Sequence, residues 1–324
     1  MTIGRTRRIL AVALLISWAR TGNAQTTRQI FVSVRDDRGT PAVGLQPNQF
    51  VVVEDEMVRT TVKVEAIDWP TRLTVMVDNA TKAPDYLLSL RNGLRGLFSR
   101  IPQGLDASLL SLAPQPRWVV RPTTDAKQLA GGIDLISPAG GVAKFFDGLA
   151  EAADRAAKDK ASSFPVFLVI VTTIGGNRDV PLTFQLQKLQ QQLVARAATV
   201  HFVVVTQSGV SATGVTGGLQ TNLGLGVTQL TGGRFENINS PSRLEALLPE
   251  IGDQIASSAA IQRQQYRITY EVPSDAPYPK QVLVNVQSVG ARFTIATSLD
   301  GHLPMTTTPE AAGVSVGGAG RSGR

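Results

Sequence analysis

The segment Leu73-Thr74-Val75-Met76-Val77-Asp78-Asn79-Ala80-Thr81-Lys82 places one carboxylate at the end of an apolar run, with a polar loop behind it. In an open α/β sheet, the carboxyl end of a central strand is where ligands settle. A loop of pattern Asp-x-Ser-x-Ser at that place would offer a divalent cation one carboxylate and two hydroxyls. Here Asp78 is present, but Ala80 and Lys82 stand at the hydroxyl positions. The pattern is that of a scaffold for metal-dependent binding from which the metal chemistry has been removed.

The remaining candidates for chemistry are weak. His201 lies in an apolar run and His302 in a polar tail, and neither has a partner at metal-ligand spacing. No Gly-x-Ser-x-Gly elbow occurs, so a nucleophilic serine is not indicated. Gly217-Gly218 and Gly224-x-Gly226 form a glycine-rich stretch. It shows no strand-turn-helix context and no Gly-Lys-Ser/Thr, which speaks against a phosphate cradle. Glu54-Asp55-Glu56 reads as an acidic hairpin turn. Trp118 falls on an expected edge strand, where it serves either the core or an interface. No catalytic residue and no cofactor are expected.

The residues that must position Asp78 follow a leader. Arg5, Arg7 and Arg8, the apolar run Ile9 to Trp18, and Gly22-Asn23-Ala24 read as a secretory signal cleaved after residue 24. The apolar run is too short to span a bilayer, which takes roughly 20 residues. No second long apolar segment follows, so a mature chain without a membrane span is expected, periplasmic or secreted. Cysteine is absent, which excludes disulfides and thiolate metal sites but does not oppose export. Four of the 32 Lys and Arg lie in the leader, leaving 28 against 25 acids. That near balance, without a basic tract interleaved with aromatics, argues against nucleic acid as a partner.

Beyond the leader, residues 28–67 read as strands with a turn at Asp36-Asp37-Arg38-Gly39. Residues 72–258 alternate strands and helices. Strands are expected at 72–78, 107–112, 117–121, 165–172, 199–206 and 233–238, and helices at 86–99, 145–158, 184–198 and 244–260. Phe164 to Val171 and Val200 to Val205 are apolar without alternation, as strands covered on both faces require. Leu87, Leu90, Leu94 and Leu97 make one helical stripe. The βαβα order predicts a doubly wound, mostly parallel sheet with helices on both faces. The strand at Trp118 follows its predecessor too closely for a parallel crossover, so an antiparallel edge hairpin is expected there. Residues 264–299 return to alternation at Tyr266, Ile268, Tyr270 and Val272. They are expected to pair with 28–67 in one small β domain, with Trp69-Pro70 packing it on the larger one. A disordered tail is expected over 303–324.

Several stretches together carry a resemblance. They are Phe31 to Asp36, Gly44-Leu45 with Phe50 and Glu54-Asp55, and Leu73 to Asp78. Gly140-Gly141-Val142 before Phe146-Asp147-Gly148-Leu149 follows, then Leu230 to Phe235 and Gln265 to Tyr270. In this order and spacing they make the chain resemble proteins of the von Willebrand factor A type, and within them the acidobacterial proteins related to that domain. The resemblance implies a Rossmann-like fold and a binding rim of three loops, 78–82, 139–143 and 172–179. The rim residues would be Asp78, Asn79, Thr81, Lys82, Val142, Thr173 and Arg178. Similar domains often hold Mg²⁺ there. In this chain Val142 stands at a ligand threonine and Thr173 at the third-loop aspartate, so no metal is expected. If any ion binds, Asp78, Thr81 and Thr173 are the residues left to hold it.

The expectation is therefore an exported, non-enzymatic protein-binding or scaffolding protein with a degenerate, metal-free adhesion site. Its partner would be a protein of the cell envelope or beyond the cell. Lys82 would supply the charge that the cation supplies elsewhere, or else be an exposed loop lysine. Lys82 and Arg178 would face an acidic partner. The alternatives are a weak divalent-metal adhesion domain and a cell-envelope enzyme or accessory using the same rim.

Overall fold

A computed structural model describes residues 25–80, 84–173, 181–206, 215–276, 279, 281–287 and 293–298. The expected leader (1–24) and tail (303–324) lie outside them. Among the described residues no helix is long and apolar enough to cross a membrane.

The central sheet is built from β5 (Thr71–Val77), β6 (Asp106–Ser111), β7 (Arg117–Thr123), β8 (Phe164–Thr172), β9 (Thr199–Val205) and β10 (Phe235–Ile238). Their order is β10-β9-β8-β5-β6-β7. Every neighbouring pair is parallel except β6 with β7, which is antiparallel. The continuous apolar composition of β8 and β9 has its cause here. Every residue of both strands is buried, because helices cover both faces.

On one face lie α1 (Pro84–Arg100), α2 (Ala126–Leu135) and α6 (Leu244–Gln262), packed on Leu73, Val75, Val77, Leu109, Leu168 and Ile170. On the other lie α3 (Phe145–Lys158), α4 (Thr183–Ala195) and α5 (Val215–Thr231), packed on Met76, Leu110, Phe167, Val169 and Phe202. The stripe Tyr86, Leu87, Leu90, Leu94 and Leu97 is buried, as a 3.6-residue period requires. The backbones of α1 and α6 approach closely at Gly93, where a Cβ would sit 2.5 Å from the Leu244 carbonyl oxygen.

Two helices were not legible in the sequence. α2 carries Gly131-Gly132, and α5 holds the glycine-rich stretch in which the sequence shows no strand-turn-helix context. That reading is corrected, since 215–231 is a helix. Glycine lowers helix propensity by about 1 kcal/mol per residue. Here packing outweighs it, with Leu223 and Val227 buried in the core. The strand expected from 233 begins at Phe235. Gly233 precedes it in a turn so tight that a Cβ would meet the Val200 carbonyl oxygen at 1.7 Å.

Strands from both ends of the chain form two further sheets. These strands are β1 (Gln25–Arg35), β2 (Phe50–Glu54), β3 (Met57–Arg59), β4 (Thr61–Ile67), β11 (Gln265–Pro273), β12 (Val282–Val286) and β13 (Thr294–Ser298). The sheets run β13-β1-β11-β4 and β12-β2-β3. Ile30, Val32 and Val34 of the first share one core with Phe50, Val52 and Val284 of the second. The acidic turn is the hairpin between β2 and β3, with positive φ at Asp55 and Glu56. Glu54 is not part of its solvated surface. It is buried against Arg28 and Arg59. Phe31, Trp69 and Phe164 meet edge-on or tilted at 5.4–5.5 Å and join these sheets to the central one.

Candidate functional site

β5 delivers Asp78 to the carboxyl end of the central sheet, between β6 and β8. The Asp78 amide donates to the Ile170 carbonyl at 2.8 Å, continuing the ladder one residue past the strand. The side chain is 2 % exposed, and its acceptors are turned inward. Oδ1 accepts from the Ala80 amide at 2.8 Å. Oδ2 accepts from the Thr172 amide at 3.1 Å and from Thr172 Oγ1 at 3.0 Å. Burial pushes the carboxyl above its ordinary range, and the hydrogen bonds from Ala80 and Thr172 oppose that rise.

Asn79 clips three segments together. Its Nδ2 donates to the Ser137 carbonyl at 2.9 Å, and its Oδ1 accepts from the Ala113 amide at 3.0 Å. Its carbonyl accepts from the Ala139 amide at 2.8 Å. The first loop is thereby tied to the end of β6 and to the second loop. Asn79 is buried and its side-chain amide is spent on these contacts. Val142 sits half-buried in the second loop and brings no side-chain oxygen.

At the third loop, the Thr173 amide donates to the Val205 carbonyl at 3.0 Å. Its Oγ1 is buried without a hydrogen-bond partner among the described residues. Thr81, Lys82 and Arg178 lie outside the described residues, and so does the proposed pairing of Lys82 with Asp78.

Sequence reasoning missed two residues of this place. Tyr86, fully buried in the first turn of α1, donates its hydroxyl to the Asp78 carbonyl at 2.9 Å. Gln220 of α5 is 1 % exposed and donates Nε2 to the Thr172 carbonyl at 3.1 Å. Its Oε1 has no partner among the described residues. In the sequence Tyr86 is legible only as the first residue of the expected helix 86–99. Gln220 had no local signal, since α5 itself was not legible.

A magnesium ion demands near-octahedral oxygen ligation. The described residues bring one carboxylate already holding three donors, one free hydroxyl and a valine. No group of three or more His, Asp or Glu side chains suited to a metal occurs among them. This set does not fit a divalent ion. His201, fully buried on β9, accepts from the Arg234 amide at Nδ1, 3.2 Å away. Burial holds its pKa down at about 4, so it is a neutral structural imidazole remote from ligand chemistry.

No protein-family model matches the chain. No curated protein matches it either. Solved structures do. A von Willebrand factor type A protein from Catenulispora acidiphila is 11 % identical at a TM-score of 0.46, over 85 % of this chain and 72 % of that one. The vWF domain of the type V pili tip protein Mfa5 from Porphyromonas gingivalis is 14 % identical at a TM-score of 0.42, over 61 % of this chain and 98 % of that one. The SpRpn10 VWA domain is 15 % identical at a TM-score of 0.40, over 58 % and 98 %. The chain is thus an α/β protein with a six-stranded, mostly parallel sheet between helices, and the solved structures it is similar to are von Willebrand factor A domains.

Proposed function

We propose that this chain is an exported, non-enzymatic protein-binding or scaffolding protein that uses the rim at the carboxyl end of its central sheet without a metal ion. One observation carries the reading: the Asp78 carboxylate is spent within the chain on Ala80 and Thr172. A carboxylate so held acts as an internal latch between the first and third loops. The place that would otherwise take a cation-bridged partner becomes a preorganised polar surface. Lys82 and Arg178, in the sequence segments expected to form the rim, would give that surface charge for an acidic protein partner in the cell envelope or outside the cell. Resemblance to the acidobacterial proteins with the same order of leader, β segment and α/β domain supports export.

Thr173 favours a second reading. Its buried hydroxyl, without a partner among the described residues, would form a weak divalent site with Asp78 and Thr81. Calorimetry of the mature chain with Mg²⁺, Mn²⁺ and Ca²⁺ separates the two. The first reading expects no saturable heat with any of them. Saturable binding that disappears in Asp78→Ala would establish the second. Capture of envelope proteins by the wild type but not by a Lys82→Glu, Arg178→Glu variant would place the partner at the rim.

A further inference from the structure

β1 is covered unequally along its two edges. On one edge β11 pairs with Gln25 through Val32. On the other, β13 pairs only with Phe31 through Arg35. From Gln25 to Ile30 that second edge has no strand partner among the described residues. Two hydrogen bonds show which groups point there. β13 holds one side of Val34, so the Ala42 amide, which donates to the Val34 carbonyl at 2.8 Å, lies on the β11 side. The Glu271 amide donates to the Thr60 carbonyl at 3.0 Å, away from Thr27, its opposite number in the register. Even-numbered residues of β1 therefore face β11, while Gln25, Thr27 and Gln29 turn N–H and C=O to the open edge. Thr27 and Gln29 have no backbone partner on that edge among the described residues.

Other edges of the molecule are blunted. β4, in the same sheet, carries the Lys63–Glu65 ion pair, and its pairing with β11 slips at Thr269 and Tyr270. β7 carries Pro122, and its pairing with β6 slips twice, which turns Trp118 to the α3 side and Val120 to the α1 side. Such devices keep an edge from pairing with another chain. Gln25-Thr26-Thr27-Arg28-Gln29 has no proline and no slip. Its one charge is turned inward, since the Arg28 guanidinium pairs with buried Glu54 and donates to the Ala276 carbonyl at 2.8 Å.

A cleft of about 540 Å³ lies against the same residues. Thr27, Gln29 and Phe31 form one wall, and Val194 and Ala195 of α4 with Leu230 of α5 form the other. Thr27 and Gln29 are exposed, so the edge and the cleft are both open to solvent.

We propose that the open edge of β1 takes an extended segment of a partner protein as an added antiparallel strand, with apolar side chains at alternate positions. Partner residues opposite Thr27 and Gln29 exchange backbone hydrogen bonds with them and send their side chains into the cleft, and the residue between them points to the other face. The apolar far wall selects apolar side chains there. The chain's own continuation fits poorly. In the register of β13 it would set Asp300 and His302 opposite Gln29 and Thr27, against that wall. A second copy paired edge to edge would bring only Gln25, Thr27 and Gln29 to it. The proposal does not depend on the rim.

Titration calorimetry of the mature chain with acetyl-Thr-Val-Thr-Val-Thr-Lys-amide tests this, and saturable binding is expected. N-methylation of both valine amides should weaken it about tenfold or more, because those N–H groups face β1. N-methylation of the threonine between them, whose N–H points away, should leave it unchanged. Hydrogen exchange should show the Thr27 and Gln29 amides protected when the peptide is added. Thr27→Pro removes one donor from the open edge and none from the β11 ladder, and should weaken the peptide similarly. No saturable binding at millimolar concentration, or equal affinity for the valine-methylated peptide, overturns the proposal. Thr27 and Gln29 amides already protected in a peptide-free monomer assign the edge to the chain's own tail and overturn it too. So does a dimer in sedimentation that Thr27→Pro disperses, which assigns the edge to a second copy. The methylation comparison and the exchange measurement use the unaltered chain and stand whether or not the variant folds.

Discussion

His201 shows how a single buried side chain governs the response of this fold to acid. Its pKa is held at about 4, while an unfolded chain would protonate near 6.5. Between those values the unfolded state binds more protons, so stability rises with pH. The contribution is complete above about pH 6.5 and is lost as pH falls towards 4. A shift of this size corresponds to on the order of 3 kcal/mol. In His201→Asn the amide oxygen takes the place of Nδ1 and still accepts from the Arg234 amide, and the titration is gone. Urea denaturation at pH 7 and pH 4 should show the wild type losing about that much more stability than the variant. Asp78 is the contrasting case. Its residue type and place were readable from the sequence, but the direction of its carboxylate was not. That direction depends on Thr172, 94 residues away along the chain.

At the scale of elements, the packing of α1 on α6 rests on close backbone approach. Ala is a better helix former than Gly by about 1 kcal/mol. Gly131 in α2 has nothing within 4 Å of a built Cβ, so Gly131→Ala should stabilise by about 0.5–1 kcal/mol. Gly93→Ala should do the opposite. Its Cβ would lie 2.5 Å from the Leu244 carbonyl oxygen and 2.9 Å from Leu248 Cδ1. Overpacking of this kind costs about 1–3 kcal/mol, which exceeds the propensity gain. Thermal unfolding of the two variants should move in opposite directions. The helices legible in the sequence, α1, α3, α4 and α6, carry leucine or phenylalanine at helical spacing. α2 and α5 carry glycines that local propensity counts against a helix, and burial of Leu129, Ile133, Leu223 and Val227 outweighs them.

At the scale of the molecule, the sheets from the two chain ends meet the central sheet through a small aromatic cluster. Trp69 touches Phe31 on β1 and Phe164 on β8, and the Arg267 guanidinium lies 5.3 Å above its ring. Trp69→Ala would remove the ring that packs on both Phe31 and Phe164. Large aromatic truncations cost about 3–5 kcal/mol when fully buried, and half-buried Trp69 should fall near 3. Chemical denaturation of the whole chain measures this. A change below about 0.5 kcal/mol would mean that the junction is held elsewhere.

The chain carried in its order of residues whatever depends on local period and composition. That covers the βαβα alternation, the doubly covered strands β8 and β9, the antiparallel edge at Trp118 and the altered loop after Asp78. These signals are local because a strand or helix must show its own neighbours an apolar face. The three-dimensional arrangement alone settled what depends on distant partners. It directs Asp78 to Thr172, turns Asn79 into a clip, brings Gln220 to the strand ends and swings Trp118 onto the α3 face. Hydrogen-bond direction and ladder slippage are properties of pairs far apart in the chain, and no residue announces them alone.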